Sequence, residues 1–207
     1  MAQTTSGLHK ILSPAWAYSF FQNFVGAQRA RKQFVEQHVH AQPGDRVLDM
    51  GCGTAEILTM LPEVNYAGYD LSAAYIEKAR ATFGDRGTFC VGDVGSMREA
   101  LSGKFDIVLA MGILHHLDDD QVLQLFRTAH DVLASGGRIV SIDPTFTTGQ
   151  HFFAKWMIRR DRGRNVRTES ELLSLATQQF PNTKAVVRHD LLRIPYTHII
   201  LECLKRD

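Results

Sequence analysis

The run Val47-Leu48-Asp49-Met50-Gly51-Cys52-Gly53-Thr54-Ala55 joins an apolar strand, an acid and two closely spaced glycines. Glycine lets a backbone pass close to a ligand with no Cβ in the way, so this is a turn suited to a small molecule at the carboxyl end of a strand. Thr54 stands where it can cap a helix that begins beyond it. A second apolar run ends in Asp70, 19 residues after Gly51, close to the spacing at which an acid accepts hydrogen bonds from ribose hydroxyls. These two signals fit a dinucleotide equally well. Asp49 divides the readings, because a carboxylate beside the turn repels a pyrophosphate and suits a cationic amino group. The third glycine of G-x-G-x-x-G is also absent, since Thr54, Ala55 and Glu56 follow Gly53. A third strand closes on Asp93 within Val91-Gly92-Asp93-Val94, where the acid can accept from an adenine amino group.

Proton transfer needs a group that titrates near neutrality, and His115 and His116 directly follow the fourth apolar run. Either is a candidate base, and either can instead cap or pack under Leu117. With Asp118, Asp119 and Asp120 they also form a set of adequate metal ligands, but three acids opening a helix are already accounted for by capping and by the helix N-terminus, so no metal site is expected. Between Arg159 and Arg167 lie five arginines in nine residues. That segment is either solvated surface or an anion pocket built from guanidinium forks. On the second reading Arg162, Arg164 and Arg167, with Tyr18, are the candidate substrate-binding residues.

Positioning these groups requires a sheet. Short apolar runs at 46–50, 66–70, 88–92, 105–110 and 138–143 alternate with helix signals, the pattern of βα units around parallel strands. Ser72 opens a helix running to about Phe83, while Ser96 with Glu99, Asp118 with Gln121 and Thr168 with Glu171 have capping-box spacing. The helix after Asp118 repeats apolar residues to Leu133 and is expected to stop at Gly136-Gly137. A further helix is expected near 151–160. Segments 183–188 and 196–204 are β-rich, and the link between them is too short for a parallel crossover. The expected fold is α/β: a doubly wound, mostly parallel seven-stranded sheet with helices on both faces and a C-terminal antiparallel hairpin. Ahead of it, Ser13-Pro14 and the stripe Leu12, Trp16, Phe20, Phe24 form an amphipathic helix that packs over the core, closes as a lid or lies on a membrane surface.

The chain is read as one domain, with an N-terminal helical cap over 1–43, a cofactor-binding core over 44–144 and acceptor-side helices and hairpin over 145–207. Its 207 residues carry a formal net charge of +1, too little field for a DNA duplex partner. Cys52, Cys90 and Cys203 are odd in number and have no C-x-x-C spacing, which fits a reducing compartment. Neither a secretion leader nor an apolar run of transmembrane length is apparent, so a cytoplasmic location is expected.

In order, VLDMGCGTA, GYDLS, VGDV and FDIVLAMGILHHL resemble the motifs of class I S-adenosylmethionine-dependent methyltransferases, and LASGGRIVSIDP is similar to that family's fifth-strand segment. The resemblance covers roughly 44–144 and implies S-adenosylmethionine as donor, S-adenosylhomocysteine as product and a small-molecule acceptor. It places Asp49, Gly51 and Gly53 along the methionine part, Asp70 at the ribose, Asp93 and Val94 at the adenine, and Met111 with Gly112 on the pocket floor. Cys52 and Leu71 join the expected cofactor contacts. Ala55 stands where many members have a third glycine, a small change expected to be tolerated. The other readings are a cofactor-binding regulatory protein without turnover, and a methyltransferase acting on RNA or protein. Ala110-Met111-Gly112-Ile113 stands where amino methylation of bases by the familiar route would require an N/D-P-P-[YF] run.

Overall fold

In the computed structural model, residues 26–92, 104–160 and 163–206 are described. Seven strands form one sheet: β1 (Arg46–Met50), β2 (Asn65–Asp70), β3 (Gly87–Val91), β4 (Phe105–Met111), β5 (Leu133–Pro144), β6 (Thr183–Arg188) and β7 (His198–Leu204). Their spatial order is β3-β2-β1-β4-β5-β7-β6, parallel except where β7 runs against both β5 and β6. The seven-stranded sheet and its closing antiparallel hairpin therefore stand as expected. The order reverses between β1 and β4, which pair through Val47–Ile107 and Asp49–Leu109. In an open α/β sheet this switch point leaves a crevice beyond the strand ends.

Strand residues alternate in direction, and here both faces are covered. Leu48 and Met50 of β1, with Val108 and Ala110 of β4, enter one core layer, whereas Val47, Ile107 and Leu109 enter the other. That two-sided burial is why β1 and β4 read as continuous apolar runs. Helix α1 (Ala27–Phe34), prolonged by a π-helical turn at Val35–Val39, contributes Phe34 and Val39 to the second layer, as α2 (Ala73–Phe83) contributes Ile76. On the opposite face lie α3 (Asp119–Val132), with Leu125 and Phe126, and α5 (Glu169–Ala176), with Leu172 and Leu175. Between them in the chain runs α4 (Phe152–Arg159).

The helix starts follow local chemistry. Asp118 with Gln121 and Thr168 with Glu171 form reciprocal capping boxes, and the Ser72 hydroxyl accepts from Tyr75 N–H. Two expectations fail. First, α3 ends at Val132 rather than at the Gly136-Gly137 pair, because Leu133 turns extended at ψ 141°, is fully buried and pairs with Phe105 as the first residue of β5. Second, Thr54 caps nothing: Ala55 takes the position before the short 3₁₀ turn Glu56–Thr59, at φ 57° and with no side-chain cap. The Leu12–Phe24 stripe and the Ser96–Glu99 pair lie outside the described residues.

Candidate active site

The glycine turn sits at the β1 end of the switch point. Gly51 has φ 79°, its N–H and that of Cys52 both donate to Tyr69 O (2.8 and 2.9 Å), and a Cβ on it would meet Ile113 Cδ1 at 2.7 Å. Gly53, at φ 55°, has open space where a side chain would stand. Beneath the turn Asp49 is 1% exposed; the Tyr66 hydroxyl donates to its Oδ2 at 2.6 Å, and its buried Oδ1 has no partner among the described residues. Burial, reinforced by the Asp70 charge and opposed by the Tyr66 bond, pushes the Asp49 carboxyl up to about 7. Asp70 at the end of β2 accepts from Gly53 N–H (2.9 Å) and Ser72 N–H (2.8 Å), one bond to each oxygen, so it ties the ends of β1 and β2 together and keeps a second lone pair per oxygen. Leu71 beside it is 74% exposed. Cys52 packs against Gly68, where a Cβ would lie 2.8 Å from its Sγ, and burial raises its thiol pKa.

At the end of β4, Met111 is half-buried, and Gly112, at φ 63°, donates its N–H to Ile142 O (2.8 Å). A short turn, Leu114–His116, follows. His115 is buried, with Nδ1 2.7 Å from Asp143 Oδ1 and its backbone N–H donating to the same oxygen at 3.2 Å. Asp143 is 2% exposed, its Oδ2 has no partner among the described residues, and burial raises its pKa against the bonds from His115. A carboxylate on Nδ1 favours the tautomer with its proton there, which leaves Nε2 as the basic nitrogen. The ring is wedged: a Cβ on Gly163 would fall 1.9 Å from its Cδ2, and one on Gly112 would fall 3.8 Å from its Cε1. His116 is exposed and packs on this ring at 4.1 Å between centroids.

Within the arginine segment, Arg167 turns inward. Arg167 is buried, and its guanidinium is fully engaged within the fold: Nε and Nη2 each lie 2.8 Å from Asp119 Oδ1, Nη1 donates to Leu114 O and Asn165 O, and Nη2 donates to Leu117 O. All five donors are used, so no fork remains for an acceptor. It instead fastens the β4–α3 loop to 165–167. Arg164 is exposed and also engaged. Arg162, Tyr18, Asp93 and Val94 lie outside the described residues. Of the five residues weighed as metal ligands, three bond within the fold: His115 to Asp143, Asp118 to Gln121 N–H and Asp119 to Arg167.

Farther along the same sheet edge, the loops after β5 and β6 border an open cavity of about 500 Å³ lined in part by Thr147, Gln150, His151, His189, Arg193 and Tyr196. Thr147 Oγ1 and Gln150 Oε1 are buried with no partner, and Arg193 makes no ion pair or hydrogen bond, among the described residues.

Residues 47–137 match the family described as a methyltransferase domain. Over that stretch the chain is similar to methyltransferase domains, and it spans less than half the length of the curated relatives it matches. It is 31% identical over 108 residues to the trans-aconitate 2-methyltransferase of Deinococcus radiodurans, a match covering 50% of this chain and only 40% of that protein. Among solved structures, the pyocyanin biosynthetic protein PhzM superposes with a TM-score of 0.72 at 18% identity, over 97% of this chain and 62% of that one. The S-adenosylmethionine-dependent methyltransferase SibL does so at 0.71 and 19%, over 98% and 60%.

A methyltransferase domain of this kind would take S-adenosylmethionine, and the residues fit that group: the buried Asp49 Oδ1, without a partner among the described residues, suits an ammonium, the open glycine turn leaves room for the chain, and exposed Leu71 beside Asp70 would offer an apolar surface to a base next to a ribose. The family match ends at residue 137, before Asp143 and the cavity. Sequence reasoning missed Tyr66, Asp143 and Arg193. Only Asp143 carried a visible signal, as an acid closing the fifth apolar run.

Proposed function

We propose that this protein transfers a methyl group from S-adenosylmethionine to a small anionic acceptor seated in the cavity beyond β5 and β6. The observation that carries the acceptor half is Arg193, a cation without an ion-pair or hydrogen-bond partner among the described residues, on a pocket that also holds two buried oxygens unsatisfied among those residues. A guanidinium binds carboxylate or phosphate, and the Thr147 and Gln150 oxygens favour a ligand that also donates hydrogen bonds. This moves the anion contact expected of Arg162, Arg164 and Arg167 toward Arg193.

When bound, the sulfonium cofactor supplies an already activated methyl group, so alignment and exclusion of water are the protein's main contributions. Asp49 would hold the cofactor's ammonium from beneath the turn and Asp70 its ribose, with Met111 and Gly112 on the floor. His115, oriented by Asp143, accepts at Nε2 the proton that a hydroxyl or ammonium acceptor must lose. His116 covers the outer face of that ring.

The test is methyl transfer from labelled S-adenosylmethionine to a panel of small carboxylates and phosphomonoesters, with trans-aconitate included as an anionic probe, alongside their uncharged analogues. For the acceptor found, Arg193→Ala raises KM about tenfold or more, the size of one lost charge-assisted contact, and leaves S-adenosylhomocysteine affinity unchanged. Equal turnover of charged and uncharged acceptors, or an unaltered KM in the variant, would refute the anionic reading.

A further inference from the structure

Helix α4 buries the wrong residues for its sequence. Of Phe152-Phe153-Ala154-Lys155-Trp156-Met157-Ile158-Arg159, it turns Ala154 and Ile158 to the core and leaves Phe152 79%, Trp156 44% and Phe153 37% exposed. At 100° per residue, the direction opposite the buried Ala154–Ile158 seam falls on Trp156, whose ring stacks on that of Phe153 at 5.6 Å between centroids. Phe152 lies one step to one side of it. Lys155 and Arg159 flank this pair on that side and Arg160 on the other, where its guanidinium covers the Trp156 ring at 4.3 Å. All three cations are exposed, and no acid occurs in 152–160. The chain as a whole carries only +1, so this positive charge is a local feature.

We propose that α4 is a membrane-surface contact that seats on anionic lipid. An outward aromatic ridge between cations matches the layering of a bilayer interface: ring systems enter the headgroup–acyl boundary, and lysine and arginine meet lipid phosphates. The charge sign selects the partner, since a zwitterionic lipid surface has no net negative charge to attract the three cations. One short helix makes a reversible, salt-sensitive contact rather than a permanent anchor. Because His151 caps α4 and Ala154 lies within it, and both line the cavity, the docked helix brings that cavity to the membrane surface. This inference does not depend on methyl transfer.

The test uses the full chain with phosphatidylcholine vesicles, with and without about 30% phosphatidylglycerol, at low and high salt. Expected is cosedimentation about tenfold greater with the anionic vesicles, lost at high salt, abolished in Phe152→Ser/Trp156→Ser and weakened in Lys155→Glu/Arg159→Glu. The chain has two tryptophans, so Trp16→Phe leaves Trp156 as the sole reporter, and its emission shifts to the blue on anionic vesicles only. Wild-type protein that stays in the supernatant overturns the proposal. So does binding that survives both double variants, which would assign it to another surface. A dimer in sedimentation velocity that Phe152→Ser/Trp156→Ser dissociates, without vesicle binding, would assign the face to a second copy. Circular dichroism of each variant confirms that these surface changes leave the fold intact.

Discussion

Burial and the charge of Asp70 raise the Asp49 carboxyl from 3.8 to about 7. Between those pH values the folded, ligand-free chain retains a proton that the unfolded chain releases. The stability contributed by that proton is fully present below about pH 4 and is lost as pH rises to about 7. Ligand-free protein should therefore lose on the order of a few kcal/mol across that window from this group, and Asp49→Asn should remove that component of the slope in calorimetric melts. A bound ammonium reverses the preference by favouring the carboxylate. S-adenosylhomocysteine binding near pH 6 should release close to one proton, measured as a difference in binding heat between buffers of unlike ionisation enthalpy. Equal heats would count against Asp49 as the ammonium's partner. Residue type alone made Asp49 and Asp70 legible, because an acid closing an apolar strand is conspicuous. Tyr66 was not, since a tyrosine in a strand reads as packing until the pairing of β1 with β2 brings its hydroxyl to 2.6 Å.

Segment 163–167 lies against the turn that carries His115 and, together with Asp143 of β5, locks it in place. Asn165 N–H donates to His115 O at 3.1 Å, Gly163 packs on the ring, and Arg167 joins three carbonyls and Asp119. Arg167→Ala strands those acceptors and should lower stability by about 2–4 kcal/mol, a melting-temperature drop of roughly 5–10 °C. Arg167→Lys should recover little, because an ammonium cannot reproduce the planar fork. A variant that melts normally yet has a raised acceptor KM would return Arg167 to the substrate. Capping boxes were legible because they need only four consecutive residues. The end of α3 was not, because Leu133 is drawn into β5 by burial and pairing with a distant strand. Likewise a run of five arginines shows charge but not which guanidinium turns inward.

Across the whole molecule, the parallel order of the first five strands and the antiparallel closure were legible from the length of the links, and the two core layers follow from unbroken apolar runs. The cavity was not legible, because it forms where two loops 40 residues apart in sequence meet at one sheet edge. Cofactor binding acts on this entire architecture: S-adenosylhomocysteine at 100 times its dissociation constant should add about 2.7 kcal/mol to unfolding, seen as a raised melting temperature, whereas NAD should add nothing. Stabilisation by NAD instead would overturn the choice that Asp49 makes. The close approach of Gly163 to the His115 imidazole has a spectroscopic consequence. The ring protons of His115 lie against the Gly163 backbone, so their chemical shifts time the arrival of the 163–167 segment during refolding. If the strand ends order first, the chain passes through a stage that takes up S-adenosylhomocysteine before His115 is set, and the two clocks, ligand fluorescence or heat against ring resonance, run at different rates.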